Sequence, residues 1–409
     1  MPDSTPRRRI ALVGTGHRGA SMWGRELLAG WRGHVEFVAL CDINPLRAEA
    51  ARHLIGTNAP IYTDVDAMLA QIKPDTVIVC TRDDTHDAII VKAMEAGADV
   101  VTEKPMTTTA AKSRAILAAQ ARTGKRIDVT FNYRFAPTAL KLKQLLDAGA
   151  IGTVASADFH WYLDTQHGAD YFRRWHAHAE HSGSLFVHKA THHFDLMHWY
   201  LGSVAQEVFA RGSLRHYGRN GTYRGARCGD CNHTATCPYF LDMGKDPWLD
   251  ALYGAPAKAD GYHRDGCVFD ESIDIYDTMA ATVTYANGVM LSYSLNANMP
   301  VEGHHIAFNG TGGRIELRQY ERQAFETPAH DEIVVMRNFG GVERIRVERA
   351  GGGHFGGDDR LRNQLFVPGT PDPHGQRAGA QAGADAMLCG VAALTSAREG
   401  RPVTLAELR

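Results

Sequence analysis

A lysine between a glutamate and a proline, Glu103-Lys104-Pro105, is the segment of this chain best suited to chemistry. It follows a strand-like run at residues 99–102, which places the lysine at the carboxyl end of a predicted strand. Parallel sheets bind ligands in the crevice outside these strand ends. An ammonium group there can hydrogen-bond a reacting hydroxyl and exchange its proton. The position therefore favours a catalytic Lys104 over an ordinary surface lysine.

A glycine-rich segment near the start of the chain predicts a nucleotide site. Residues 14–19 read G-T-G-H-R-G, after an apolar run and before a helix-compatible stretch. In such a segment the first glycine allows a tight turn, the second admits a diphosphate, and the third lets helix and strand pack closely. A second predicted strand, residues 35–41, ends at Asp42, whose carboxylate can bind ribose hydroxyls. The strand-helix-strand frame favours dinucleotide binding over an isolated glycine turn.

The first third of the chain alternates strands with helices. The predicted strands are 9–14, 35–41, 76–80, 99–102 and 126–131, and the predicted helices are 20–29, 45–54, 65–71, 86–96 and 109–123. This alternation predicts an α/β fold, with a doubly wound parallel sheet of the Rossmann type at the N-terminus.

The pattern changes after residue 137. A helix at 138–147 precedes strands at 154–162, 207–215, 273–285, 289–295, 304–309, 314–317 and 332–337. These strands alternate polar and apolar residues, which predicts an α+β domain with an open, mostly antiparallel sheet. Asn287-Gly288 is a strong hairpin signal. We expect domains at 1–135 and 136–409, with irregular segments at 351–353 and 368–373 and a final helix at 380–397 that packs back.

Composition limits the class of protein. The chain has 409 residues, 44% hydrophobic and 22% charged, with a net charge of −2. These values are typical of a globular protein and give no reason to expect nucleic acid or membrane partners. Seven cysteines over this length do not form an evident disulfide framework. No apolar run has transmembrane length, so we expect a cytoplasmic protein.

Together these features resemble the Gfo/Idh/MocA oxidoreductases, a family that includes glucose–fructose oxidoreductase and inositol dehydrogenase. The likeness covers most of the chain: residues 14–19, Asp42, Thr81 with His86, residues 103–105, 132–134 and 183–202. It implies that the chain binds NAD, or less readily NADP, and moves hydride to or from a sugar, cyclitol, glycoside or related polyol. It also implies that Lys104 assists the proton transfer.

The resemblance also implies sets of ligand-binding residues. Those implied for the cofactor are Gly14, Gly16, His17, Arg18, Gly19, Asp42, Thr81, His86, Glu103, Lys104 and Asn132. Those expected at the substrate are Lys104, Tyr133, Arg134, Trp175, His181, His188, Lys189 and His192.

One motif departs from the family pattern. The usual Asp-x-x-x-His of the second domain here has His188 in the aspartate position and His192 in the histidine position. Residues four apart share one face of a helix. We expect His192 to be the second acid/base, with His188 orienting it or contacting the substrate. A divalent metal on His181, His188, and His192 or Glu180 is an alternative use of these side chains.

Four cysteines in a poorly cored loop at about 217–267 predict a structural zinc site. Cys228-x-x-Cys231 is followed by Cys237 and Cys267, and zinc prefers four tetrahedral ligands of this kind. His233 or His263 could replace one cysteine. The alternative is a loop with reduced thiols.

Three functions remain open on the sequence. The leading one is an NAD(P)-dependent oxidoreductase, with a homo-oligomer formed through the open sheet of the second domain. The second is a redox-assisted glycosidase that oxidises, eliminates, hydrates and reduces without net NADH. The third is a non-catalytic NAD-responsive regulator, against which the retention of Lys104 and His192 argues.

Asp42 predicts a preference for NAD over NADP. Its carboxylate would accept hydrogen bonds from the ribose hydroxyls and repel a 2′-phosphate, although Arg47 in the following helix would soften this effect. Titration of both cofactors measures the preference, and comparable affinities would contradict it.

Overall fold

A computed structural model describes residues 6–222 and 224–409. Its N-terminal part is a six-stranded parallel sheet in the order β3-β2-β1-β4-β5-β6. The strands are β1 (Arg8–Val13), β2 (Val35–Cys41), β3 (Ile61–Tyr62), β4 (Thr76–Val79), β5 (Asp99–Thr102) and β6 (Ile127–Val129). The helices are a π-helix (Gly19–Glu26), α1 (Leu27–Trp31), α2 (Pro45–Ile55), α3 (Val65–Ile72), α4 (His86–Glu95) and α5 (Ala110–Thr123).

The apolar strands explain this layered architecture. The last four residues of β1 and all of β4 are buried, because helices cover both faces of the sheet. α2 begins where the side chain of Asn44 accepts the N–H of Arg47, and Pro45 occupies the first turn. The predicted Rossmann-type sheet is confirmed.

The strand order decides where ligands can bind. The chain passes from β1 to β2 and β3 on one side, and then from β4 to β6 on the other. The loops after β1, β4 and β5 therefore meet at one edge, where the order reverses. This brings residues 14–19, 81–86 and 103–105 together.

The second sheet has nine strands in the order β14-β13-β12-β11-β7-β10-β9-β8-β15. They are β7 (Val154–Asp164), β8 (Ala205–Ser213), β9 (Thr278–Tyr285), β10 (Met290–Met299), β11 (Glu302–Gly310), β12 (Gly313–Arg322), β13 (His330–Arg337), β14 (Val342–Glu348) and β15 (Val403–Thr404). Only the β7–β10 pair is parallel among these described strands. The predicted mostly antiparallel sheet is confirmed, as is the hairpin at Asn287-Gly288 between β9 and β10.

The described part of the rest of the chain contains nine α-helices, and several of them pack against one face of this sheet. They are α6 (Pro137–Asp147), α7 (Thr165–Tyr171), α8 (Ala179–Ser182), α9 (Ser184–His188), α10 (Ala190–Leu201), α11 (Pro247–Tyr253), α12 (Ala257–Asp260), α13 (Gly353–Phe366) and α14 (Ala380–Glu399). Residues 183–202, which carry part of the resemblance, form the two helices α9 and α10, divided at Lys189. The domain boundary between residues 135 and 136 falls between β6 and α6 and stays a prediction.

One of two local predictions was wrong. Residues 273–277 are not a strand, because the Asp277 carboxylate accepts backbone N–H groups from Arg215, His216 and Tyr217. The glycine-rich stretch at 351–353 was expected to be irregular, and the backbone agrees: His354, Phe355 and Gly356 have φ of +53°, +56° and +82°, so regular helix in α13 begins only after them. Among the residues described, no helix combines the length and apolar character needed to cross a membrane.

A buried ion pair joins the turn after β6 to α10. Arg134 donates from Nε to Asp195 at 2.7 Å and from Nη2 at 2.5 Å, and both side chains are almost fully buried. A third donor, Nη1, binds the carbonyl of Gly375 at 3.1 Å. Arg134 was predicted to contact substrate; its guanidinium here binds Asp195 and Gly375, and the substrate contact stays a prediction.

Breaking this pair should strongly destabilise the protein. We expect Asp195→Ala to lower the free energy of unfolding by about 3–5 kcal/mol, because it leaves Arg134 buried without its counter-charge. The double variant Arg134→Met/Asp195→Leu should recover most of that loss. Urea unfolding measures both.

The exposed pair Arg401–Glu399 is the matched control, and its loss should leave the urea unfolding midpoint nearly unchanged. A double variant as unstable as Asp195→Ala would show that the charges are not the cause.

Candidate functional site

The glycine loop has the close packing expected for a nucleotide site. Gly14 has φ +90°, and a Cβ there would lie 2.6 Å from the carbonyl carbon of Cys80. A Cβ on Gly19, where the π-helix begins, would lie 2.0 Å from the Gly14 oxygen. No larger residue fits either position, so the loop and the helix can approach β4 only with glycine.

Asp42 lies beside this loop and orders it. Its Oδ2 accepts the backbone N–H of Thr15 at 2.8 Å and the Thr15 hydroxyl at 2.9 Å, while Oδ1 accepts the N–H of Asn44. Arg47 lies 3.6 Å from Asp42 and 2.8 Å from Asp260. The carboxylate thus stands at the end of β2, with a cation close to it.

A network of charges ties the loop to the segment that carries the lysine. Glu103 accepts hydrogen bonds from Arg18 at 2.8 Å and from Trp23 at 2.7 Å. Asp358 of α13 lies 3.4 Å from Arg18 and accepts from Asn132 at 2.6 Å. Burial alone would raise the pKa of Glu103, but Arg18 holds that pKa below its usual value. Three residues expected at the cofactor therefore also brace each other.

His86 links the segment that carries Lys104 to the loop after β4. Its Nδ1 is 2.9 Å from the carbonyl of Pro105, and its Nε2 is 3.1 Å from the carbonyl of Thr81. The ring is fully buried, and burial lowers the pKa of His86. His86 and Thr81 thus contact the loops that border the site.

Lys104 belongs to a relay of three polar side chains, of which the other two are buried. Its Nζ donates to the carbonyl of His188 at 2.9 Å and lies 3.3 Å from Nε2 of the same residue. The other ring nitrogen of His188, Nδ1, is 2.5 Å from Oδ2 of Asp83. His188 and Asp83 are 7% and 3% exposed. The geometry therefore connects Lys104 through an imidazole to a carboxylate.

Electrostatics in this relay favour a lysine that can lose its proton. Loss of hydration lowers the pKa of Lys104 to about 8, with Asp83 opposing the shift and Lys189 adding to it. Burial raises the pKa of Asp83 and lowers that of His188. Sequence reasoning missed Asp83, although it follows the end of β4 at the same sheet edge that singled out Lys104.

His192 lies behind this relay in an aromatic layer. Its ring meets Tyr133 edge-on at 4.8 Å between centroids, and its Nδ1 has no hydrogen-bond partner among the described residues. Burial and then Lys104 lower the pKa of His192. Lys189, 1% exposed, donates to the Tyr133 hydroxyl at 3.3 Å and lies 4.7 Å from the Trp161 ring centre. His192 and His188 therefore occupy different positions: His188 contacts Lys104 and His192 packs under Tyr133.

The remaining predicted substrate residues lie at the border. Trp175 stacks on His176 at 3.6 Å and meets the ring of His188 at 5.8 Å. His181 lies 3.4 Å from Asp84 and 3.1 Å from Glu180. Trp175 is thus next to the relay, whereas His181 pairs with carboxylates away from Lys104.

The structure gives the metal predictions no support. Over residues 6–222 and 224–409, no group of three or more His, Cys, Asp or Glu side chains is placed to hold a metal ion. The four predicted zinc ligands, Cys228, Cys231, Cys237 and Cys267, do line one small cavity of about 20 Å³. Two of their sulfurs accept backbone N–H groups: Cys231 from His233 at 3.4 Å and Cys228 from Leu241 at 3.5 Å. The four side chains are therefore neighbours around this cavity, without the arrangement of a metal centre.

Family models match most of the chain. Residues 8–131 match the model for an oxidoreductase family with an NAD-binding Rossmann fold. Residues 143–405 match the model for the C-terminal alpha/beta domain of the same oxidoreductase family.

Individual relatives agree with these matches. The putative oxidoreductase YteT of Bacillus subtilis is 38% identical over 98% of both chains. The inositol 2-dehydrogenase of Rhizobium meliloti is 29% identical over 50% of this chain and 58% of its own. The D-glucoside 3-dehydrogenase of Escherichia coli is 31% identical over 36% of this chain and 41% of its own.

A solved structure shows the same fold at low identity. The WlbA dehydrogenase of Bordetella pertussis, in complex with NADH and UDP-GlcNAcA, matches with TM-score 0.66 and 20% identity over 98% of this chain and 99% of its own.

Proposed function

This chain belongs to the Gfo/Idh/MocA oxidoreductase family, and we propose that it is an NAD-dependent dehydrogenase acting on a hydroxyl-bearing carbon of a sugar, cyclitol or glycoside. The single observation that carries the proposal is the contact of Lys104 with His188, which in turn contacts Asp83, at the edge of the parallel sheet. A dehydrogenase needs a group there that removes the hydroxyl proton as hydride leaves the same carbon.

The cofactor fits the glycine loop and the neighbouring strand ends. Gly14 and Gly19 give the close packing that the diphosphate turn needs, and a Cβ on Gly16 would meet the Tyr253 hydroxyl at 3.0 Å. Asp42 stands where it would bind the ribose hydroxyls. Bound NAD would supply the hydride acceptor, and the proton would be handled by this chain's own residues.

Lys104 would act as the base in alcohol oxidation. In its neutral form the amine takes the proton of the substrate hydroxyl and becomes an ammonium. That ammonium donates to the His188 carbonyl and faces Nε2, while Asp83 holds the proton of Nδ1. A carboxylate that holds an imidazole in one tautomer keeps the other nitrogen free to accept. Asp83 is thus a positioning residue that acts through His188.

The layer behind Lys104 would shape the substrate pocket. His192 is proposed as the second acid/base, since its Nδ1 has no partner among the described residues. Tyr133, Lys189 and Trp175 supply ring faces and donors of the kind that suit a polyol. Relatives named as inositol and glucoside dehydrogenases support this substrate class.

Two further expectations stay predictions. No feature of the described residues favours the redox-assisted glycosidase over the dehydrogenase, and a homo-oligomer through the open nine-stranded sheet awaits measurement. Incubation with aryl glycosides distinguishes the two enzymes, because a glycosidase would release the aglycone without net NADH.

Lys104→Ala should abolish hydride transfer while NAD binding persists. We expect a loss of at least ~100-fold in kcat, the scale of a general base. In the unaltered enzyme the oxidation rate should rise with pH through about 8, because only the neutral amine above that pKa can accept a proton. NADH absorbance over a panel of polyols and methyl glycosides measures both.

Lys92→Ala, at an exposed lysine of α4, is the control and should keep full activity. A Lys104→Ala enzyme with the turnover of the unaltered protein would contradict the assignment of Lys104 as the base.

Asp83→Asn should weaken turnover more than substrate binding. We expect kcat to fall about tenfold or more and the midpoint of its pH profile to move lower, because Asp83 raises the pKa of Lys104. The control is Asp84→Asn, which removes the neighbouring carboxylate that binds Arg82. An unshifted pH profile in Asp83→Asn, with loss of thermal stability alone, would reduce Asp83 to a structural residue.

A further inference from the structure

The segment of residues 217–267 lies over the glycine loop. Tyr253, the last residue of α11, accepts the backbone N–H of His17 at 2.7 Å through its hydroxyl. A Cβ on Gly16 would lie 3.0 Å from the same hydroxyl. This is the face of the loop that a dinucleotide diphosphate approaches, because the second glycine of the motif leaves that face open.

The same segment is attached to the adenosine side of the crevice. Asn44 donates to the carbonyl of Pro256 at 2.8 Å, and Arg47 pairs with Asp260 at 2.8 Å. Arg47 also donates to the carbonyl of Leu252 at 3.3 Å. The contacts hold α11 and α12 against the start of α2, so the segment borders the site where a cofactor would enter.

Two arginines beside Tyr253 share one carboxylate. Arg264 of the segment lies 2.5 Å from Oδ1 of Asp170, and Arg174 lies 2.9 Å from Oδ2. Both arginines interact electrostatically with Tyr253. One negative charge cannot balance two guanidinium groups, which leaves an excess positive charge next to the glycine loop.

Arg264 has donors that the protein does not use. Its side chain is 8% exposed, yet Nε and Nη1 have no hydrogen-bond partner among the residues described. Leaving buried donors of a charged group unpaired is costly, so such donors normally have a partner. An anion held at the loop would supply one. Tyr253 and Arg264 also line one cavity of about 620 Å³, which gives the tyrosine ring room to withdraw.

We infer that Arg264, together with Arg174, binds the diphosphate of the dinucleotide, and that the Tyr253 hydroxyl occupies the N–H of His17 until the diphosphate replaces it. The inference rests on the proposed cofactor and adds to it a cationic contribution from residues 217–267. It also gives this segment a binding role that does not depend on its cysteines. The diphosphate is favoured over an acidic sugar because the occupied donor belongs to the glycine loop.

Calorimetric titration without substrate tests the inference. NAD, ADP-ribose and adenosine are titrated into the full-length protein and into Arg264→Met. We expect Arg264→Met to weaken NAD and ADP-ribose by the same factor, about tenfold to a hundredfold, and to leave adenosine unchanged. Arg227→Met, at a more exposed arginine of the same segment, is the matched control and should bind all three ligands as the unaltered protein does.

The variant Asp170→Asn distinguishes a binding role of the Arg264 charge from a structural role of the Arg264–Asp170 pair. If Arg264 only braces the fold through Asp170, both variants should lose affinity. If it binds the diphosphate, Asp170→Asn should bind ADP-ribose at least as tightly as the unaltered protein, because less positive charge is neutralised.

Unchanged ADP-ribose binding in Arg264→Met would overturn the inference, and so would an equal loss for adenosine. An unaltered protein that binds no NAD would instead refute the proposed function. Unchanged ADP-ribose binding with a raised KM would assign Arg264 to an acidic substrate and would also overturn the inference.

Discussion

A lysine ammonium at the edge of a closely packed sheet has to be compensated, and this requirement organises the candidate site. Lys104 finds a carbonyl and an imidazole on His188, and that imidazole finds a carboxylate on Asp83. Lys104 and Asp83 come from the first domain as we predict it, whereas His188 comes from the second. The relay therefore forms only when the two domains pack against each other. Burial of Lys104, the main cause of its lowered pKa of about 8, brings this amine within reach of neutral pH.

The surrounding charges follow the same logic. Glu103 has Arg18 and Trp23, Arg18 reaches Asp358, and Asp358 binds Asn132. Each contact joins elements that are distant along the chain. Arg18, Glu103 and Asn132, which are expected to bind the cofactor, are thus fixed by hydrogen bonds and ion pairs within the protein. These contacts give the glycine loop a defined shape without a ligand. Rigid support of this kind is what lets a site act on a substrate with small positional error.

Much of the architecture could be predicted because its signals are local. Charge-free strands such as β4 indicate burial on both faces, the glycine loop indicates a strand-helix turn, and Asn287-Gly288 indicates a hairpin. Local signals failed where long-range contacts decided the outcome. The strand predicted from residue 273 begins only at Thr278, after the Asp277 carboxylate has accepted backbone N–H groups of residues 215–217.

By itself the sequence determined the family, the two-sheet fold and the position of Lys104, because motif spacing and hydrophobic period depend on neighbouring residues. Only the tertiary structure decided what the polar side chains contact. It placed His188 on Asp83, 105 positions away, and paired Arg134 with Asp195. It also brought four cysteines to one cavity without assembling a metal site among the described residues. Pairing of buried charges is a property of packing, and no local pattern in a sequence specifies the partner.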